Sequence, residues 1–122
     1  VTVVRYNKNL KHTLDKIQEL MERYKNIDIN DSSNWNNEPV HFTRRLWNML
    51  ELARIITACA LNRNESRGAH YKPEFPERDD ANWLKTTKAL HTPDGPTISY
   101  EPVDTSLIPP RRRAYDVNKE AV

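Results

Sequence analysis

Leu10, Leu14, Ile17, Met21 and Tyr24 recur at alternating spacings of four and three residues, the period of a single helical stripe. Lys11, Asp15, Lys16, Glu19 and Glu22 fall largely off that stripe, so the pattern predicts an amphipathic helix over residues 8–26. Asn, Asp and Ser residues between Asn26 and Asn37 break the period and predict a loop, with Trp35 expected to fold back as a lid on the helices. A second helix is expected over residues 42–64. Leu46, Met49, Leu50, Ala53, Ile56 and Ala60 make one apolar face of it, and Leu52, Ile55 and Cys59 make another. A helix apolar on two sides needs cover on two sides, so it is either central to this chain or meets a domain outside it.

Beyond this helix the pattern changes character. Gly68 is expected to turn the chain sharply, and Pro73 and Pro76 keep the connector over residues 65–78 extended. Asp79 or Asp80 can cap a short helix over residues 79–85 through Trp83 and Leu84. Lys85–His91 and Thr97–Tyr100 flank Pro93-Asp94-Gly95-Pro96, which places a β-hairpin over residues 86–101. Residues 102–122, with Pro109-Pro110, read as an extended C-terminal tail. At the other end, Val1–Arg5 is β-branched but too short to stand alone, so residues 1–7 read as the severed end of an upstream element. A chain that opens on Val1 fits an excised fragment. The whole is expected to be one mainly α domain, an antiparallel helical bundle with a small hairpin.

Composition narrows the chemistry. With 122 residues the chain suits one domain, and 37% hydrophobic against 30% charged residues fits a helix-rich domain with polar connectors. The apolar run from Ile55 to Leu61 is broken by Thr57 and is too short to cross a bilayer. No secretory signal pattern occurs in these residues. A single cysteine, Cys59, excludes an internal disulfide or a thiolate-held iron–sulfur cluster and reads as a small core residue in a reducing, cytoplasmic setting. The formal charge of +2 comes mainly from Arg111-Arg112-Arg113 and from Lys8, Lys11 and Lys16, a weaker basic pattern than nucleic-acid binding requires. Only Gly68 and Gly95 are glycines, which excludes binding of FAD, NAD or ATP through a glycine-rich strand-to-helix turn. His12, His41, His70 and His91 are scattered, without metal-ligand spacing.

Few residues remain as candidates for a site. Ser66 and His70 with Glu65 carry the residue types of a hydrolase but lack a separate orienting acid and oxyanion donors. Arg67 and His70 have two readings: partners for free carbonyls at a helix end, or a rigid polar loop reaching across an interface to anionic groups. By residue type the first reading leads. Arg111, Arg112 and Arg113 form a solvated tail or dock on a partner domain with Tyr115 as anchor. Trp47 and Trp83 read as core aromatics, with Trp83 also suited to an interface.

Several of these motifs, taken in order, resemble the C-terminal helical domain of succinate dehydrogenase and fumarate reductase flavoproteins of the type found in Bacillus-like bacteria. The motifs are Lys16 to Tyr24, Leu46-x-x-Met49-Leu50-Glu51-Leu52-Ala53, and Glu65-Ser66-Arg67-Gly68-Ala69-His70. Arg78-Asp79-Asp80-x-x-Trp83-Leu84-Lys85, the hairpin and the Pro-Pro-x-x-Arg-x-Tyr tail follow. The resemblance implies a spectrin-repeat-like three-helix bundle that braces an upstream FAD domain. In the parent protein, succinate is oxidised to fumarate and electrons pass through FAD to an iron–sulfur subunit and a quinone at the membrane anchor. It further implies a position on the cytoplasmic face of the bacterial inner membrane. FAD attachment and dicarboxylate binding lie upstream in that family, so this chain is expected to hold no catalytic, cofactor or metal residue. The implied domain-contact residues are Glu65, Ser66, Arg67, His70, Tyr71, Arg78 and Trp83, and the tail residues linked to flavin attachment are Arg113 and Tyr115. Lys72 stands where many relatives have arginine, and Thr87 where some have histidine. Aspartate oxidase resembles the chain around Ser66–His70 only, and a free-standing helical adaptor is the alternative from another class.

Overall fold

A computed structural model describes residues 3–111. In chain order they form α1 (Asn7–Tyr24), α2 (Glu38–Asn62), α3 (Asp80–Trp83), β1 (Lys85–Leu90) and β2 (Thr97–Pro102). The two long helices run antiparallel. Tyr24 at the end of α1 donates its hydroxyl to Thr43 O near the start of α2, at 3.0 Å, and Asn7 at the opposite end reaches Asn64 Oδ1. Helix α3 is a four-residue turn, so the described residues contain a helix pair plus one short turn.

The core lies between the pair. Leu10, Ile17 and Met21 of α1 are buried, and Ile17 and Met21 pack with Leu50 of α2, flanked by Tyr24, Leu46, Trp47 and Ala53. Tyr24 and Trp47 meet ring to ring at 5.1 Å. On α2 the inner face runs Leu46, Leu50, Ala53, Thr57, Ala60. Thr57 is fully buried and returns its hydroxyl to Ala53 O at 2.7 Å, which satisfies it within the helix. Met49 and Ile56, expected on this inner face, point outward with Leu52; the three are 57%, 54% and 59% exposed. Their spacing of three and four residues draws a second stripe beside the first.

Helix α2 starts at Glu38, ahead of residue 42, because Asn37 accepts from the Val40 N–H at 3.1 Å and Pro39 fits the first turn. It ends at Asn62, before the boundary at 64, where Arg63 turns extended. Gly68 therefore does not stop the helix. It sits in a later tight turn at φ 57°, between Arg67 and His70, which exchange backbone hydrogen bonds. Trp35 is no lid: it is 89% exposed in the loop that joins the helices. Cys59 is half-buried at the edge of the core, and desolvation raises its thiol pKa. No helix among the described residues is long and apolar enough to cross a membrane.

An isolated two-stranded hairpin is marginal in water. Here β1 and β2 pair antiparallel from Lys85↔Pro102 to Leu90↔Thr97. The pair leans on α2: Gly95 in the hairpin loop (φ 131°) lies over the Arg54 guanidinium, which is itself paired with Glu51 at 2.8 Å. Trp83 closes the other end edge-on against Tyr100 at 5.6 Å. Replacing Leu50 with Ala opens the shared core and should cost about 2–4 kcal/mol, read as a lower urea midpoint with unchanged m-value. The same change at exposed Leu52 should cost much less.

Candidate functional site

Residues 63–80 gather most of the buried polar chemistry at the end of the helix pair where α1 starts and α2 stops. Glu65 is fully buried. It accepts a two-pronged contact from Arg67 (Nε and Nη2, both 2.9 Å), a hydrogen bond from Arg63, and the Asp79 N–H at 3.2 Å. A buried carboxylate needs such partners to remain charged. Arg67 continues to Asp80 at 2.7 Å, and Asp80 takes Arg78 on its other oxygen at 2.6 Å. Arg67 holds its proton more tightly than usual, chiefly through Glu65. The Asp80 carboxyl lies below its ordinary value, chiefly through Arg67 and then Arg78. Arg78 also donates to Arg111 O at 2.8 Å, which ties the start of the tail to the cluster.

Arg63 is the tether to the hairpin. Its guanidinium donates to Glu65, to Trp83 O at 3.1 Å, to Lys85 O and to Thr87 Oγ1 at 3.1 Å, and stands 5.4 Å from the Trp83 ring centre. Thr87 is thus an acceptor for an arginine. Lys85 lies over both Trp83 and Tyr100, 4.8 and 4.4 Å from the ring centres.

Lys72 and Glu74 are functional positions to which the sequence pattern assigns no role. Lys72 is fully buried, and its ammonium donates to Leu61 O at 2.8 Å and Asn64 Oδ1 at 3.1 Å, capping the carbonyl end of α2. Helix α2 has no basic residue in its last turn, so Lys72 supplies the missing cation. Two residues further, Glu74 accepts the Asn7 N–H at 2.8 Å, where α1 has neither a side-chain cap nor an acidic first turn. Burial, only partly offset by Glu74, lowers the Lys72 pKa from 10.5 to about 8.

The Ser66–His70 pairing needed for a hydrolase is not made. Ser66 donates its hydroxyl to Phe75 O at 2.7 Å and accepts from the Lys72 N–H at 2.9 Å. His70 faces Arg5 through Nδ1 at 2.5 Å and Arg63 O through Nε2 at 3.0 Å. His70 therefore serves a carbonyl at the helix end, whereas Arg67 serves carboxylates. Tyr71 pairs through its backbone with Val3 and Arg5, and its ring is half-exposed. Trp83 is half-buried at the hairpin end. Arg113 and Tyr115 lie outside the described residues. Neither Gly68 nor Gly95 opens a helix: each sits in a turn of the connector or the hairpin.

The described residues are thus a helix pair clasped by a charged loop, with a docked hairpin. Residues 1–115 match the family model described as fumarate reductase flavoprotein C-term, and the chain belongs to that family. It is 58% identical over 123 aligned residues to the succinate dehydrogenase flavoprotein subunit of Bacillus subtilis, covering 99% of this chain and 21% of that protein. To the fumarate reductase flavoprotein subunit of Haemophilus influenzae it is 40% identical over 120 residues, covering 98% of this chain and 20% of that protein. A solved Escherichia coli quinol fumarate reductase superposes with a TM-score of 0.85 at 35% identity, over 90% of this chain and 19% of that one. The chain thus spans about a fifth of the length of the relatives it matches.

Two measurements check the clasp. Glu65→Ala strands two arginines and should cost about 3–5 kcal/mol, seen as a lowered denaturation midpoint. The fold penalises the Lys72 cation, so that penalty is complete below about pH 8 and is released as pH rises toward 10.5. Wild-type stability relative to Lys72→Arg should therefore rise between pH 8 and 10, because arginine keeps its charge throughout.

Proposed function

We propose that this chain is the C-terminal bracing domain of a succinate dehydrogenase flavoprotein subunit. In that protein the upstream domain holds FAD and takes a hydride from succinate, yielding fumarate, and electrons continue to an iron–sulfur subunit and to quinone at a membrane anchor. The complex sits on the cytoplasmic face of the inner membrane. The chain itself contributes packing, and no step of the reaction is assigned to its residues.

The observation that carries this reading is the outward stripe of α2. Met49, Leu52 and Ile56 are more than half exposed on a helix whose other face is already filled by α1. A helix seam at this spacing suits a third long helix, and the preceding part of the parent protein is its source, completing a three-helix bundle. A mainly apolar groove of about 530 Å³, lined by Leu20, Tyr24, Ile27, Leu46 and Leu50 with Arg23 and Asn26, opens between the helices. The clasp then offers Ser66, Arg67, His70, Tyr71, Arg78 and Trp83 to the FAD domain, with buried Glu65 holding Arg67 in place beneath them. Relatives named for both succinate dehydrogenase and fumarate reductase match almost the whole chain. Reaction direction is accordingly set by the rest of the complex.

The test is to produce this chain and the remainder of the flavoprotein as separate polypeptides and purify them together. Co-elution is expected, and Ile56→Glu should weaken it at least tenfold while the chain alone keeps its helical circular dichroism. Succinate-dependent dye reduction by the chain alone would overturn the assignment of chemistry to the remainder.

A further inference from the structure

The geometry points to a proton-operated latch in which neutral His70 fastens the segment Val3–Arg5 to the clasp and lets go of it when the imidazole is protonated. The latch lies wholly within this chain, and it adds to the bracing role a control over how firmly the segment Val3–Arg5 is held.

Both ring nitrogens of His70 are committed. Nδ1 stands 2.5 Å from Nη1 of Arg5, a group that can only donate, so Nδ1 must accept and carries no proton. Nε2 stands 3.0 Å from Arg63 O, a group that can only accept, so Nε2 carries the single proton. One tautomer of the neutral ring satisfies both contacts, and the imidazolium satisfies only one. A proton added at Nδ1 would point at a guanidinium.

The charges around the ring act in the same direction. Arg5 approaches from the N-terminal segment, Arg63 from the end of α2, and Lys72 from the clasp itself; all three oppose a second proton on His70. Among the described residues, Glu65 pairs with Arg63 and Arg67, and Glu74 accepts the Asn7 N–H. Burial is the largest contribution and also disfavours the cation, so the pKa lies below its ordinary 6.5 despite the favourable bond to Arg63 O. The penalty grows as pH falls through 6.5 and is complete below the lowered value.

Among the described residues, the latch acts on the parallel bridge between Val4 and Tyr71. Arg5 N–H donates to Tyr71 O at 2.8 Å, and Tyr71 N–H donates to Val3 O at 3.2 Å. Tyr71 is the residue next to His70, so loss of the Arg5–His70 contact acts directly on this pairing. The α1–α2 core is built from other residues and keeps its packing.

Amide hydrogen exchange on the full flavoprotein, corrected for intrinsic rates, tests this at pH 8 and pH 5. Protection of the Arg5 and Tyr71 amides should fall at least tenfold at pH 5, while that of Ile17 and Leu50 stays unchanged. Both Arg5→Gln and His70→Gln should lower protection of Tyr71 at pH 8; the first should shrink its pH step and the second abolish it. Equal protection at both pH values overturns the latch, and so does a loss shared by the core amides. A pH step of undiminished size in Arg5→Gln also overturns it, which keeps the test decisive where His70→Gln does not fold. The two polypeptides of the bracing experiment are not involved, so failure of either reading is seen separately.

Discussion

One short loop secures one end of each long helix. A helix leaves unpaired N–H groups and partial positive charge at its start, and unpaired carbonyls with partial negative charge at its end. Antiparallel α1 and α2 bring one end of each kind to the same pole, and neither helix carries its own charged cap there. Lys72 and Glu74, two residues apart, answer them with opposite charges. The position of everything beyond α2, from the tight turn at Gly68 to the hairpin, follows from where this loop is fixed. It also explains a lysine with no exposed surface: its ammonium is the terminal partner of α2.

From this pole a charged path leads outward. Arg63, Glu65, Arg67, Asp80 and Arg78 alternate in sign, each joined to the next, and Arg78 ends on a carbonyl of the tail. The buried member, Glu65, has the most partners, whereas Asp80 and Arg78 stand closer to solvent. That gradient suits a surface meant to be covered further: the desolvation cost is already met inside, and charged groups with remaining hydrogen-bonding capacity lie at the rim. The apolar stripe of α2 offers the complementary kind of surface on another side of the same helix.

The helices and the hairpin were legible because their signals are local. A four-three spacing marks α1, and Asp79 caps α3 as its sequence suggests, accepting from the Asn82 N–H. The start of α2 was equally local, in Asn37, Glu38 and Pro39, but the polar loop composition masked it. Other contacts carry no local signal because their partners are distant along the chain. Nothing near Lys72 shows that it will meet Leu61 O, and nothing near Arg5 shows that it will face His70, 65 residues away. Met49 and Ile56 were placed inward because helical period gives a stripe its width and leaves its centre free by a residue or so. Packing against α1 fixed that centre on Leu50, Thr57 and Ala60.

The three tryptophans fall in three separate environments. Trp35 stands in water on the loop, Trp47 lies against Tyr24 where the helices pack, and Trp83 sits among Arg63, Lys85 and Tyr100. Indole emission depends on solvent contact and on neighbouring charge, so the chain carries its own set of optical probes. With Trp35 replaced by phenylalanine, the remaining signal divides between the helix interface and the clasp. Loosening of one half of the domain can then be told from loosening of the other without any added label.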